Sequence, residues 1–323
     1  MKKKLTVVLD KVEAPGFVLW KWSENDYKKP IALTIDEIKA EYYFIYKKPY
    51  QNGNLPDREI FLDGRIEFSF LDPPQELIKG LNNPSKPSAD AAAEYLYNLY
   101  KKTIDKLILY GRCELKLPSI MDAHYTGFNE IFRGNRSSIR NNVSWKYGSS
   151  DWRKFTLLTR KRASKINPIF FSRNLLTPQK WIRLIKYASS NPEIGKEIEE
   201  LIRIKSQIAW GKKRIPVIEI AALVELIIRN NVQSELKNKG QSNKKSKIAA
   251  DAGLSVLLNI LLPLILTKSE VKKYKSYIDK LDSLRKVRND VMHENIPEAK
   301  IDLNVVKNGV DAAIKITTLL AKK

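Results

Sequence analysis

Histidine is almost missing from this 323-residue chain, which has two, His124 and His293. Cysteine is scarcer still, with Cys113 alone. One thiol excludes an intrachain disulfide and any cysteine-rich zinc site, and it suits a reducing cytosol. His124, in MDAHYTG, has no second candidate ligand nearby and reads as structural rather than metal-binding. In residues 1–72 no glycine-rich loop follows a strand pattern, so that kind of phosphate cradle is not expected there. The start MKKKLTVVLDKVEAPG is basic, but Asp10 and Glu13 interrupt its apolar run too early for a secretory signal. Only residues 248–266 approach a membrane span, and Asp251, Asn259 and Pro263 favour a buried bundle helix there. A cytoplasmic protein without stable membrane insertion is expected.

Positive charge is what the chain has in excess. Lys and Arg number 58 against 36 Asp and Glu, for a formal net charge of +22. Both halves share it, since residues 212–323 hold 22 basic against 12 acidic residues. Such a field draws polyanions, nucleic acid before an anionic membrane surface. A lysine-loaded surface from an AT-rich genome is the blander source of the same excess.

Residues 1–175 read as a mixed α+β domain. LTVVLD, GFVLWKW and EYYFIYKK have strand character, and Asp63-Gly64 between two alternating runs signals a hairpin. TIDEIKAEYY fits a short helix capped by Thr34. A longer helix is expected from Ser88 or Ala89 to about Leu109, with YGRCELKLP returning to strand. Residues 133–165 carry ten Lys and Arg against Asp151 alone, with aromatic residues interleaved. Arg133, Arg136, Arg140, Trp145, Trp152 and Arg153 are the RNA-contact candidates there, because guanidinium and aromatic planes meet the phosphates and bases of a single strand. The competing reading is a solvated loop whose tryptophans anchor it to the core.

Residues 176–213 form a helical linker or extension, opened by Thr177 as a cap with Pro178 at the first helical position. A second helix there is expected from Pro192. Residues 214–323 read as an all-α four-helix bundle. Its helices lie near 215–236, burying Ile220, Leu223, Leu226 and Ile227; near 248–266; from an N-cap at Ser269 to about Asn295; and near 302–321.

The third of these ends in RKVRNDVMHEN, residues 285–295. Arg288, Asn289 and His293 put a guanidinium, an amide and an imidazole near one helix end. The stretch RNDVMH resembles the motif of the HEPN family of ribonucleases and RNA-binding domains: Arg, a polar residue, then His a few positions on. The resemblance covers the last 110 or so residues and leaves the N-terminal half unassigned. It implies an endoribonuclease with a composite site across a two-fold homodimer, acting as a toxin or antiviral defence effector, under an antitoxin or regulatory partner. Members of the family that bind RNA without cutting it give the alternative, a non-catalytic RNA-binding or dimerisation module.

In the enzyme reading Arg288, Asn289 and His293 are catalytic and Arg285 widens the phosphate site. His293 moves a proton near neutral pH, and Arg288 stabilises phosphorane charge. No metal or organic cofactor is expected. On a continuous helix five residues turn through about 140° in projection, so Arg288 and His293 lie on different faces, whereas Asn289 and His293 share one. The structural alternative pairs Arg288 with Asp290, Glu294 or Asp282 and makes His293 a dipole-complementing C-terminal residue.

Overall fold

Period-two alternation builds the first part of the chain, and helical periodicity the second. The computed structural model describes residues 4–13, 18–20, 24–44, 58–59, 63–82, 86–115, 143–154, 175–209, 211–238 and 249–322. It divides into two compact units, Met1–Pro192 and Glu193–Lys323.

The first unit contains, in chain order, β1 (Leu5–Glu13), β2 (Val18–Trp20), α1 (Glu24–Tyr27), β3 (Ile31–Ile35), β4 (Ile38–Phe44), β5 (Arg58–Glu59) and β6 (Asp63–Phe70). Then come α2 (Gln75–Asn82), α3 (Lys86–Leu115), β7 (Val143–Tyr147), β8 (Arg153–Lys154), β9 (Leu175–Leu176) and α4 (Pro178–Ser189). Six strands form an antiparallel sheet in the order β3-β4-β6-β1-β7-β8, while β5, β2 and β9 make a small second sheet. The register sets Leu33, Ala40, Phe68, Val7 and Trp145 in one row across the large sheet and Ile31, Tyr42, Ile66, Leu9 and Val143 in the next. All ten are buried. Each large side chain removed from water in this way contributes about 1.5–3 kcal/mol, which fixes which face of the sheet turns inward. Trp181 of α4 closes an aromatic cluster over Phe44, with ring centroids 4.7 Å apart, and its indole N–H donates to the Lys29 carbonyl at 2.9 Å.

Three sequence expectations change here. Thr34 caps no helix: it lies in β3, and Asp36 and Glu37, with φ of 47° and 66°, form the tight turn into β4. Asp63-Gly64 is no hairpin turn but the start of β6, where a Cβ on Gly64 would sit 2.4 Å from the Tyr42 hydroxyl. The glycine makes room for a core tyrosine. Finally, α3 runs on to Leu115 instead of turning to strand after Leu109, because Tyr110, Arg112 and Leu115 continue its buried side.

Among its described residues the second unit has helices and connecting turns but no strand. It comprises α5 (Lys196–Ala209), α6 (Arg214–Asn238), α7 (254–265), α8 (Lys268–His293) and α9 (Leu303–Leu320). Helix α9 packs on α5, α6 and α8, and α6 packs on α5, α7 and α8. The bundle therefore includes a fifth helix, α5, whose Arg203, held by Glu200 of the same helix, pairs with Glu219 of α6 at 3.2 Å. Gly309 of α9 lets α8 approach closely, since a Cβ there would meet Leu284 at 2.9 Å.

Residues 248–266 are not one straight helix. Gly253 is extended, and Arg229 of α6 donates to the carbonyl of Ala252 at the break, at 3.0 Å. Leu257–Leu261 then winds as a π turn ahead of Pro263, which has no N–H to give the preceding turn. Among the described residues no helix is long and apolar enough to cross a membrane. Leu226 of α6, expected in the core, is half exposed, at 50%.

Candidate functional site

Helix α8 carries the motif, and its first turn is fixed locally. The Thr267 hydroxyl accepts from the Glu270 N–H at 3.2 Å while the Glu270 carboxylate accepts from the Thr267 N–H at 2.8 Å, a reciprocal capping box. The N-cap is therefore Thr267, two residues before the expected Ser269. Ile278, Leu281, Leu284 and Val291 make the buried stripe that seats the helix.

Arg288 falls on that stripe, four residues after Leu284 and three before Val291. Its stem is half-buried, and its Nη1 donates to the Asn289 Oδ1 at 3.2 Å. Two motif members are thus in direct contact. Among the described residues Arg288 makes no ion pair, so the pairing with Asp290, Glu294 or Asp282 that would make it a plain surface charge is not formed.

Asp282 is engaged elsewhere. Its carboxylate takes the Arg285 Nε at 2.8 Å, with Lys286 at 3.6 Å from the other oxygen. The hydrogen bond from Arg285 is the main influence holding the Asp282 carboxyl below its usual range. The geometry therefore separates two arginines one turn apart. Arg285 is ion-paired with Asp282, whereas Arg288 has no ion pair among the described residues.

His293 is the last residue of α8 and is exposed. Its ring makes no hydrogen bond among the described residues. The helix stops there because Asn295 takes a left-handed conformation, φ 50°, after the Glu294 N–H closes on the Asp290 carbonyl at 3.0 Å.

Sequence reasoning missed the partner of this helix end. Arg214, at the start of α6, donates to the Val291 carbonyl at 3.5 Å, the Asn295 Oδ1 at 2.5 Å and the Ile296 carbonyl at 3.2 Å. In return Glu298 accepts from the backbone N–H groups of Lys213, 2.6 Å, and Arg214, 3.2 Å, which hold its carboxyl below the ordinary range. No sequence signal points to this pairing, because the partners stand about eighty residues apart.

In the basic segment, Arg133, Arg136 and Arg140 lie outside the described residues, as does His124 upstream of it. Trp145 is 2% exposed and packs beside Val7 in the core, which corrects its reading as a base-stacking platform and favours the anchoring one. Trp152 is 46% exposed, with the Lys146 ammonium 4.6 Å from its ring centroid, and Arg153 and Lys154 are exposed beside it. Arg153 lies over the Trp145 ring at 5.2 Å. The β7–β8 hairpin thus keeps one available aromatic plane and three cations. Among the described residues no group of three or more His, Cys, Asp or Glu could hold a metal ion.

No protein-family model matches the chain, and no curated protein or solved structure matches it.

Proposed function

We propose that the chain is a metal-independent endoribonuclease of the HEPN kind. The observation that carries this reading is the state of Arg288: half-buried, bonded to Asn289, and unneutralised while its neighbour Arg285 is paired. An arginine held in that way suits a phosphodiester better than a lysine would. His293 moves the proton, as base on the ribose 2′-hydroxyl or as acid on the leaving 5′-oxygen. Arg288 stabilises charge building on the phosphorane oxygens, and Asn289 orients the phosphate. The products are a 2′,3′-cyclic phosphate and a 5′-hydroxyl, and DNA is inert because it lacks the nucleophile.

The site works as a composite of two copies of the bundle in this reading. Met292, beside His293, is 51% exposed, and Val256, Ile260 and Leu264 leave further apolar surface on α7, which a second copy would cover. A toxin or antiviral effector role under a restraining partner follows from the same reading.

The test is cleavage of single-stranded RNA and tRNA in EDTA by folded wild type, His293→Ala and Arg288→Ala. Cutting that leaves cyclic phosphate and disappears in both variants supports the site. RNA binding without cutting by the wild type would shift the reading to a non-catalytic RNA-binding module, for which the exposed Trp152, Arg153 and Lys154, with the half-buried Lys146 beside them, supply the contact surface.

A further inference from the structure

Building on the ribonuclease reading, we infer that Arg214 is the positioning residue for His293. A helix end leaves its last carbonyls without intrahelical partners, and such ends fray unless something holds them. In α8 the Asp290 carbonyl is taken by the Glu294 N–H, and the Val291 carbonyl by Arg214. The same guanidinium then holds Asn295 and Ile296 on the other side of the chain's turn. His293 lies midway between these anchor points, two residues after Val291 and two before Asn295.

The His293 ring, exposed and without its own hydrogen bond among the described residues, has its place set only through this backbone. A planar five-donor fork can serve acceptors on both sides of the turn, and an ammonium cannot reproduce it. Arg214 is itself immobilised. Its N–H and that of Lys213 bind the Glu298 carboxylate, and the Lys213 ammonium donates to the Ile301 carbonyl at 3.0 Å. Residues 294–301 and the start of α6 therefore fasten each other, and the catalytic end of one helix is held by the first residue of another.

The experiment uses the full chain as wild type, Arg214→Lys and Arg214→Gln, with Thr267→Ala as a control that loosens the opposite end of α8. With two histidines in the sequence, the ring signals of His293 are resolved by NMR on histidine-labelled protein and assigned with His293→Gln. In both Arg214 variants the His293 signal should move toward that of an unstructured chain. Amide exchange at 292–296 should accelerate about tenfold or more while Leu281 and Leu284 keep their protection.

RNA cleavage should lose about 10- to 100-fold in kcat with KM unchanged, the signature of misplacement rather than lost binding. Thr267→Ala should show neither effect. The inference is overturned if the His293 signal and the 292–296 exchange match wild type in both variants, or if the activity loss only follows the unfolded fraction. If wild type and His293→Ala are equally silent toward RNA, the ribonuclease reading fails alone. The NMR and exchange results still decide whether Arg214 holds His293.

Discussion

The two ends of α8 are closed by opposite means. Its N-terminus is finished within four residues, Thr267 and Glu270 satisfying each other's backbone. Its C-terminus borrows Arg214 and Glu298, whose partners lie 77 to 85 residues away in sequence. The local cap makes the helix, and the distant clamp decides where the helix delivers its last residue. Because the motif sits at the clamped end, the proposed chemistry would depend on the bundle being assembled, whereas the start of the helix needs only its own sequence.

The largest effect should come from the motif itself. Arg288→Ala is expected to reduce cleavage by about 10²–10³-fold, the scale of losing one charge-stabilising donor, while changing stability little. Single-turnover kinetics beside a thermal melt separate the two. An Arg288→Ala protein that is destabilised but cuts at the wild-type rate would assign Arg288 to the fold and remove the contrast between the helix ends.

Thr267→Ala should behave in the reverse sense. Losing the cap costs about 1 kcal/mol of stability, seen as a lowered midpoint in urea, with kcat preserved. Glu298→Gln sharpens the comparison through pH. The native Glu298 carboxyl is held below the ordinary range by two backbone N–H groups, so the unfolded chain takes up its proton first as the solution is acidified. Its stabilisation is complete above the ordinary glutamate value and is lost as pH falls through the depressed native one. Near neutrality Glu298→Gln should lower stability by less than Thr267→Ala does, because solvent screens this exposed carboxylate, and the gap from wild type should close in acid. Melts across that range check both the size and the sign.

What could be read in advance follows the same division between local and distant. Thr177 and Pro178 announce α4, and the Thr177 hydroxyl does accept from the Lys180 N–H at 3.3 Å. The Thr267-to-Glu270 spacing is itself a capping-box signature, and the cap candidate Ser269 two residues on obscures it in the sequence. β3 and β4 alternate in burial, yet TIDEIKAEYY fits a short helix as well, because the turn at Asp36 and Glu37 contains no glycine or asparagine to mark it. Gly64 misled because the demand it meets comes from Tyr42 on the neighbouring strand. The spacing of Arg288, Asn289 and His293 is legible in the sequence, and it is the resemblance that singles it out. That Arg285 is paired, Arg288 is not and Arg214 holds the end was beyond reach, since each fact depends on which groups the fold brings together.

The smallest predicted effect tests the distinction between the two arginines most closely. Arg285 and Asp282 are each 21% exposed at the side chain, and Lys286 already stands by the other carboxylate oxygen. Removing Arg285 therefore leaves Asp282 with a cation and its solvent contact. Arg285→Gln should cost about 0.2–0.5 kcal/mol, as such helical pairs do, with cleavage close to wild type. A loss of cleavage as deep as that of Arg288→Ala would mean that RNA draws Arg285 away from Asp282. In that case Asp282→Asn, which frees Arg285 beforehand, should tighten RNA binding. If neither change alters binding or cutting, Arg285 belongs to the surface of α8, and the anion-holding role rests on Arg288 alone of the two.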